Sequence, residues 1–150
     1  MISEKPDELR VLVIDDDVDA ANSLSYILQI AGCPAAVAYG GEMGLRIAKL
    51  FKPALVFLDL QMPGGDGCEV LAEAKRDGTL PRALYVCLTG SAEPAARNTC
   101  LAAGFNFFIP KPMPPEALGE ILRAARSHAG LRRRAVPDGG FPEMLDRRAH

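Results

Sequence analysis

Ala54-Leu55-Val56-Phe57-Leu58-Asp59 is the stretch that decides the fold. Five apolar residues without polar alternation are the mark of a strand covered on both faces, as in a parallel sheet, and the run stops abruptly on a carboxylate. Val11-Leu12-Val13-Ile14 repeats the arrangement and runs into Asp15-Asp16-Asp17. Outward from these two strands the apolar pattern alternates between short runs and segments of helical period. Ala20 to Ala31 reads as a helix stopped by Gly32, with Asp17 or Asp19 as its cap. Pro34 to Tyr39 reads as a strand, and Met43 to Leu50 as a helix broken by Lys52-Pro53. After a turn-rich loop, Pro63 to Gly67, there follow a helix over Cys68 to Arg76, a strand over Ala83 to Leu88 and a helix over Pro94 to Ala103 closed by Gly104. A short strand over Phe107 to Ile109 and a helix over Glu116 to Ser127 complete the pattern.

Five strands alternating with five helices predict an α/β fold, a doubly wound parallel sheet, because right-handed crossovers place helices on both faces. In such sheets ligands bind beyond the carboxyl ends of the strands. Asp15 and Asp16 end the first strand, Asp59 the third and Thr89 the fourth, and Lys111 follows the fifth, so polar groups from four strands should meet in one crevice.

Three carboxylates crowded together repel one another by about 4 kcal/mol per pair at about 4 Å, for an effective dielectric of about 20. A hard cation relieves this. Mg²⁺ suits oxygen ligands, retains waters and leaves positions open for phosphate oxygens, and Mn²⁺ would serve as a substitute. Lys111 adds a second positive charge and Thr89 a hydroxyl donor. Together these groups can position and neutralise a phosphoryl group in transfer, with one carboxylate as the nucleophile. Spacing alone leaves open which one.

The segments Val13-Ile14-Asp15-Asp16-Asp17, Phe57 to Gly67, Cys87-Leu88-Thr89-Gly90 and Phe108-Ile109-Pro110-Lys111-Pro112 resemble, in order, the motifs of bacterial response-regulator receiver domains. The resemblance covers roughly residues 9 to 128. It implies a flavodoxin-like fold with strand order 2-1-3-4-5, and Asp59 as the acceptor of a phosphoryl group from a phosphohistidine donor. Mg²⁺ would be held by the side chains of Asp16 and Asp59 and the backbone carbonyl of Gln61, with Asp15 acting through a metal-bound water. Lys111 and Thr89 would hold phosphoryl oxygens, and the Lys111-Pro112 bond is expected to be cis. Thr89 and Phe108 would form the conformational switch, Phe108 standing where tyrosine is commoner. Gln61 and Ser91 would tune autodephosphorylation. Gly90 stands where alanine is usual, and Pro110 is tolerable only if the fifth strand is an edge.

The implied partners are a sensor histidine kinase or histidine phosphotransfer protein and a downstream protein target. The target would use the face of the fourth helix, fifth strand and fifth helix, through which self-association into a homodimer also stays open. The implied protein is a signalling module that catalyses only its own phosphoryl transfer and autodephosphorylation.

The 150 residues carry a formal net charge of -2, with 49% hydrophobic and 24% charged residues, an ordinary globular composition. With no basic excess and nothing resembling a helix-turn-helix, direct DNA binding is not expected. The absence of long apolar runs argues against a membrane span or leader, and four cysteines without C-x-x-C spacing fit buried thiols in a reducing, cytoplasmic setting. Residues 1–8 are expected to be an extension, 9–129 the receiver domain, and 130–150, rich in arginine, proline and glycine, a linker or disordered tail.

Asp15-x-Asp17-x-Asp19 resembles the opening of a calcium loop, but Ala20 and Tyr26 stand at the required glycine and glutamate positions. Gly64, Gly65 and Gly67 lack the lysine and hydroxyl residue of a P-loop, and His128 and His150 lack partners at ligand spacing. Two rival functions remain. A phosphohydrolase of the haloacid-dehalogenase type would make Asp15 the nucleophile and Asp17 the acid/base, although Asp19 replaces its usual threonine or valine. A receiver-like interaction module that never carries phosphate would generally have lost part of the acidic, threonine and lysine set, which this chain keeps whole.

Overall fold

In the computed structural model, which describes residues 8–62, 67–90 and 93–131, the apolar runs become a five-stranded sheet. Residues 1–7 of the expected amino-terminal extension, most of the Pro63 to Gly67 loop, Ser91 and nearly all of the tail lie outside the described residues. The strands are β1 (Val11–Ile14), β2 (Ala35–Ala38), β3 (Leu55–Asp59), β4 (Leu84–Thr89) and β5 (Phe107–Pro110). They alternate with α1 (Val18–Ile30), α2 (Gly41–Phe51), α3 (Gly67–Asp77), α4 (Pro94–Ala103) and α5 (Pro115–His128). All neighbouring strands pair in parallel, in the order β2-β1-β3-β4-β5 that the resemblance implied.

The pleat of each strand sends alternate residues to opposite faces, so the unbroken apolar runs feed two cores. Val11, Val13, Leu55, Phe57, Val86 and Leu88 pack with Leu24 and Leu28 of α1 and Leu118, Ile121 and Leu122 of α5. Leu12, Ile14, Val56, Leu58 and Cys87 face the other way, toward Ala48 of α2, Leu71 of α3 and Cys100 of α4.

The helix ends follow local chemistry. Asp17 caps α1, its carboxylate accepting a hydrogen bond from the Ala20 amide at 3.2 Å, and the helix therefore starts two residues before the apolar period does. Lys52 ends α2 in the left-handed region at φ 52°, a conformation consistent with Pro53 disfavouring a further helical residue before it. Arg10 secures that end by donating to the carbonyls of Phe51 at 2.8 Å and Lys52 at 3.2 Å. Pro110 is exposed at the end of the edge strand β5, where its missing N–H interrupts no ladder to a further strand.

The close seat of α2 on the sheet depends on Gly44, where a Cβ would press on the Ile14 side chain, with Cγ1 at 2.8 Å. Gly44→Ala should therefore destabilise the chain by about 1–3 kcal/mol despite the better helix propensity of alanine. Urea denaturation checks this, and an unchanged or higher midpoint would show that the contact can relax.

Candidate functional site

The sheet register brings the polar strand ends together. Asp59 is the last residue of β3, opposite Leu88, and Thr89 ends β4 one residue further on, opposite Pro110. The Lys111 amide donates to the Thr89 carbonyl at 2.7 Å, so the lysine leaves the edge strand beside the hydroxyl residue. Asp15 follows β1, its amide bonded to the Ala38 carbonyl at 3.0 Å. The Lys111-Pro112 bond is cis, the geometry that the resemblance implied.

Carboxylate oxygens of Asp15, Asp16 and Asp59 all lie within 4.8 Å of one another. Asp15 and Asp59 are buried and Asp16 is exposed, so the cluster opens to solvent on the Asp16 side. Lys111 Nζ contacts Asp15 Oδ2 at 2.9 Å and Asp59 Oδ2 at 3.5 Å, bridging the two buried acids. Their remaining oxygens accept backbone hydrogen bonds, Asp15 Oδ1 from the Asp17 amide at 3.0 Å and Asp59 Oδ1 from the Gln61 amide at 3.2 Å. Each acid is thus held by its own following loop and by a lysine some fifty or more residues away.

One cation among three carboxylates leaves the charge unbalanced. Burial, with Asp15 close by, pushes the Asp59 carboxyl up from 3.8 to about 6, against the lowering effects of Lys111 and the Gln61 amide. Burial alone would lower Lys111, but its hydrogen bond to Asp15 and the charges of both acids more than offset that, and its pKa is raised. Lys111 is therefore charged at neutral pH while Asp59 holds its charge under strain. The donor set is all hard oxygen and short of positive charge, which fits a divalent cation of the Mg²⁺ kind.

Thr89 is fully buried at the end of its strand, and Phe108 is half-buried in β5, packed against the core on the Cys87 side of the sheet. Gln61 is exposed just beyond Asp59, and Gly90 has open space where a Cβ would stand. Asp15, Asp16, Asp59 and Lys111 are thus brought to one place, with Thr89 and Gln61 flanking it. Ser91 lies outside the described residues. His128 is exposed and contacts the Arg82 carbonyl at 3.0 Å, away from this crevice.

Two features escaped the sequence. Lys111 is nearer to Asp15 than to Asp59, and Cys87 Sγ lies 3.1 Å from Cys100 Sγ. Strand alternation places Cys87 on a known face, but no local signal says which helix covers it.

Comparison with known proteins agrees with the fold. The family model for the response regulator receiver domain matches residues 11–123, more than half of the chain. The chain belongs to this family. The match decides against the phosphohydrolase alternative. The DNA-binding response regulator MtrA of Mycobacterium tuberculosis is 34% identical over 124 residues, covering 83% of this chain and 51% of MtrA. A CheY-like receiver domain protein from Methanospirillum hungatei superposes with a TM-score of 0.74 at 26% identity, over 82% of this chain and 97% of that one. The receiver domain of Ssk1, in a co-crystal with the histidine phosphotransfer protein Ypd1 of Saccharomyces cerevisiae, gives a TM-score of 0.68 at 25% identity, over 76% and 86%.

These findings correct one expectation. Direct DNA binding was not expected from the charge of -2 and the missing helix-turn-helix, yet curated relatives are named DNA-binding response regulators. The chain spans about half the length of those relatives. The charge balance of this chain says little about a property named for proteins about twice its length, since a basic surface elsewhere in them would not enter the sum. Among the described residues no helix is long and apolar enough to cross a membrane.

The raised pKa of Asp59 has a measurable sign. A carboxyl that holds its proton more tightly folded than unfolded stabilises the fold below pH 3.8, and that contribution is lost as pH rises through about 6. Without divalent cation, Asp59→Asn should therefore be more stable than the parent at pH 7.5, by about 1–3 kcal/mol, with the gap closing toward pH 4. Thermal melts in chelator across this range check it, and a less stable variant at pH 7.5 contradicts it.

Proposed function

We propose that this receiver takes a phosphoryl group from a phosphohistidine donor onto Asp59, and that Asp16, Asp59, the Gln61 carbonyl and, less directly, Asp15 hold a Mg²⁺ ion there. The observation that carries the reading is the set of three carboxylates within 4.8 Å with Lys111 bridging the two buried ones, in a chain of this family. When bound, the cation would neutralise the carboxylates and the oxygens of the incoming phosphoryl group.

An Asp59 carboxylate oxygen attacks phosphorus as the P–N bond of the donor breaks. The product is an acyl phosphate on Asp59 and a neutral imidazole, which retains the electron pair of that bond. Lys111 is charged and close enough to Asp59 to follow the transferred group, exchanging part of its pairing with Asp59 for a phosphoryl oxygen. Thr89, one residue beyond Leu88 in β4, supplies a hydroxyl to another oxygen, and its shift would leave space for Phe108 to turn inward. Phe108 has no hydroxyl, so this switch works through packing alone.

The partners follow from the chemistry. A histidine kinase or phosphotransfer protein, of the kind crystallised with the Ssk1 receiver, would supply the group. The α4-β5-α5 face would carry the output to a protein target or a second copy. DNA binding, named for MtrA, would be an output regulated by the receiver. Residues 9–129 would form the receiver unit, with 130–150 as a linker.

Acetyl phosphate with Mg²⁺ should add one phosphoryl group to the chain, read by intact mass, and Asp59→Asn should take none. Persistent phosphorylation of Asp59→Asn would overturn the assignment. Gly90→Ala, which adds a methyl group in open space, should change stability by less than about 0.5 kcal/mol while slowing both phosphorylation and decay by narrowing the approach. Equal rates in the two proteins would remove Gly90 from the path. Gln61→Ala should alter the decay rate alone, and an unchanged lifetime would exclude it as a tuning residue.

A further inference from the structure

We infer that Cys87 and Cys100 are a redox modification site, a thiol pair that a hydroperoxide converts into a disulfide stapling α4 to β4 beneath the phosphoacceptor crevice. Both side chains are fully buried, both cysteines are free, and their sulfurs lie 3.1 Å apart. A disulfide needs about 2.05 Å between the sulfurs, so they would have to approach by about 1 Å.

The helix involved is the one with the fewest buried residues. Cys100 is the sole fully buried residue of α4, whereas α1 buries Ala21, Leu24, Ser25 and Leu28, and α5 buries five residues. Leu101 beside Cys100 is 42% exposed. A helix anchored by one small side chain opens at low cost compared with the global fold.

That weakness answers the main objection, which is that buried thiols are inert. Burial and the neighbouring Cys100 push the Cys87 thiol well above its ordinary value, so the closed pair is a poor nucleophile. Opening of α4 exposes both sulfurs to solvent. One thiolate then attacks a peroxide oxygen, the O–O bond breaks, and a sulfenic acid forms with release of water or alcohol. The second thiolate displaces hydroxide from that sulfur, giving the S–S bond and a water. The two sulfurs together lose two electrons, and the peroxide gains them. On re-closing, the covalent bond replaces the contact by which α4 is seated.

The placement gives the bond a consequence, and this part rests on the receiver reading. Cys87 pairs with Leu58, next to Asp59, and precedes Thr89 by two residues in β4; it also pairs with Phe108 on the other side. A staple there ties the strand that carries the switch hydroxyl to a helix of the output face, without touching Asp15, Asp16, Asp59 or Lys111. The oxidised chain should accept a phosphoryl group while α4 no longer responds.

The reduced full chain is treated with hydrogen peroxide under native conditions, alkylated, and mapped by mass spectrometry, alongside Cys87→Ser, Cys100→Ser and a Cys33→Ser/Cys68→Ser double variant. A Cys87–Cys100 cross-linked peptide lighter by two hydrogens is expected in the parent and in the double variant, and in neither single variant. Amides of α4 should then exchange with deuterium more slowly. A pair that stays reduced while the other thiols react, a bond to Cys33 or Cys68 instead, or oxidation only in denaturant would each overturn the site. Formation of the bond with unchanged α4 exchange would overturn the staple. If a single serine variant fails to fold, the double variant, which keeps the pair, still decides. Acetyl phosphate labelling of the same samples is read separately, so a chain that takes no phosphoryl group condemns the receiver reading and leaves the disulfide result standing.

Discussion

The crowding of negative charge at one rim of the sheet is the constraint to which everything else answers. Asp15 and Asp59 are buried side by side, Asp16 stands at the open edge, and one ammonium group, 2.9 Å from Asp15 and 3.5 Å from Asp59, holds the buried pair in place. The ladder holds the ends of β1 and β3 that lead into Asp15 and Asp59 side by side, through the pairing of Ile14 with Leu58. The sheet thus buries Asp59 beside Asp15, and burial first, with the neighbouring acid second, raises the Asp59 pKa against the lowering effect of Lys111. Such a site favours added positive charge, and for the same reason can stabilise a phosphoryl group once a cation has joined it.

The two cores explain why this arrangement is rigid. Alternate residues of each central strand are locked against α1 and α5 on one face and against α2, α3 and α4 on the other. The crevice groups sit where that packing ends, on the last residue of a strand or the first residues after it. Of the five helices α4 buries the fewest residues, Cys100 alone, and it lies beside the strand that carries Thr89.

Much of this was legible in the sequence because a parallel strand is written plainly. Val11–Ile14 and Ala54–Leu58 are apolar without alternation and end on acids, and a doubly wound sheet gathers such ends. Choosing Asp59 over Asp15 as acceptor was another matter: both are strand-end carboxylates, both are buried, and both contact Lys111, so the choice came from the motifs of the family. The nearer pairing of Lys111 with Asp15 depends on how the chain leaves β5, which residue spacing does not encode. The contact of Cys87 with Cys100 depends on which helix covers which face. The expectation about DNA failed for a different reason, since a property of proteins twice as long cannot be read from the charge of this chain.

A buried carboxyl beside Asp15 should report the arrival of a cation directly. Carbon-detected NMR of the Asp59 carboxyl, titrated with and without Mg²⁺, is the most direct measurement. The resonance should titrate near pH 6 in chelator and move well below that value when Mg²⁺ is present. A midpoint that is the same in both conditions would mean that no cation joins the carboxylates at Asp59.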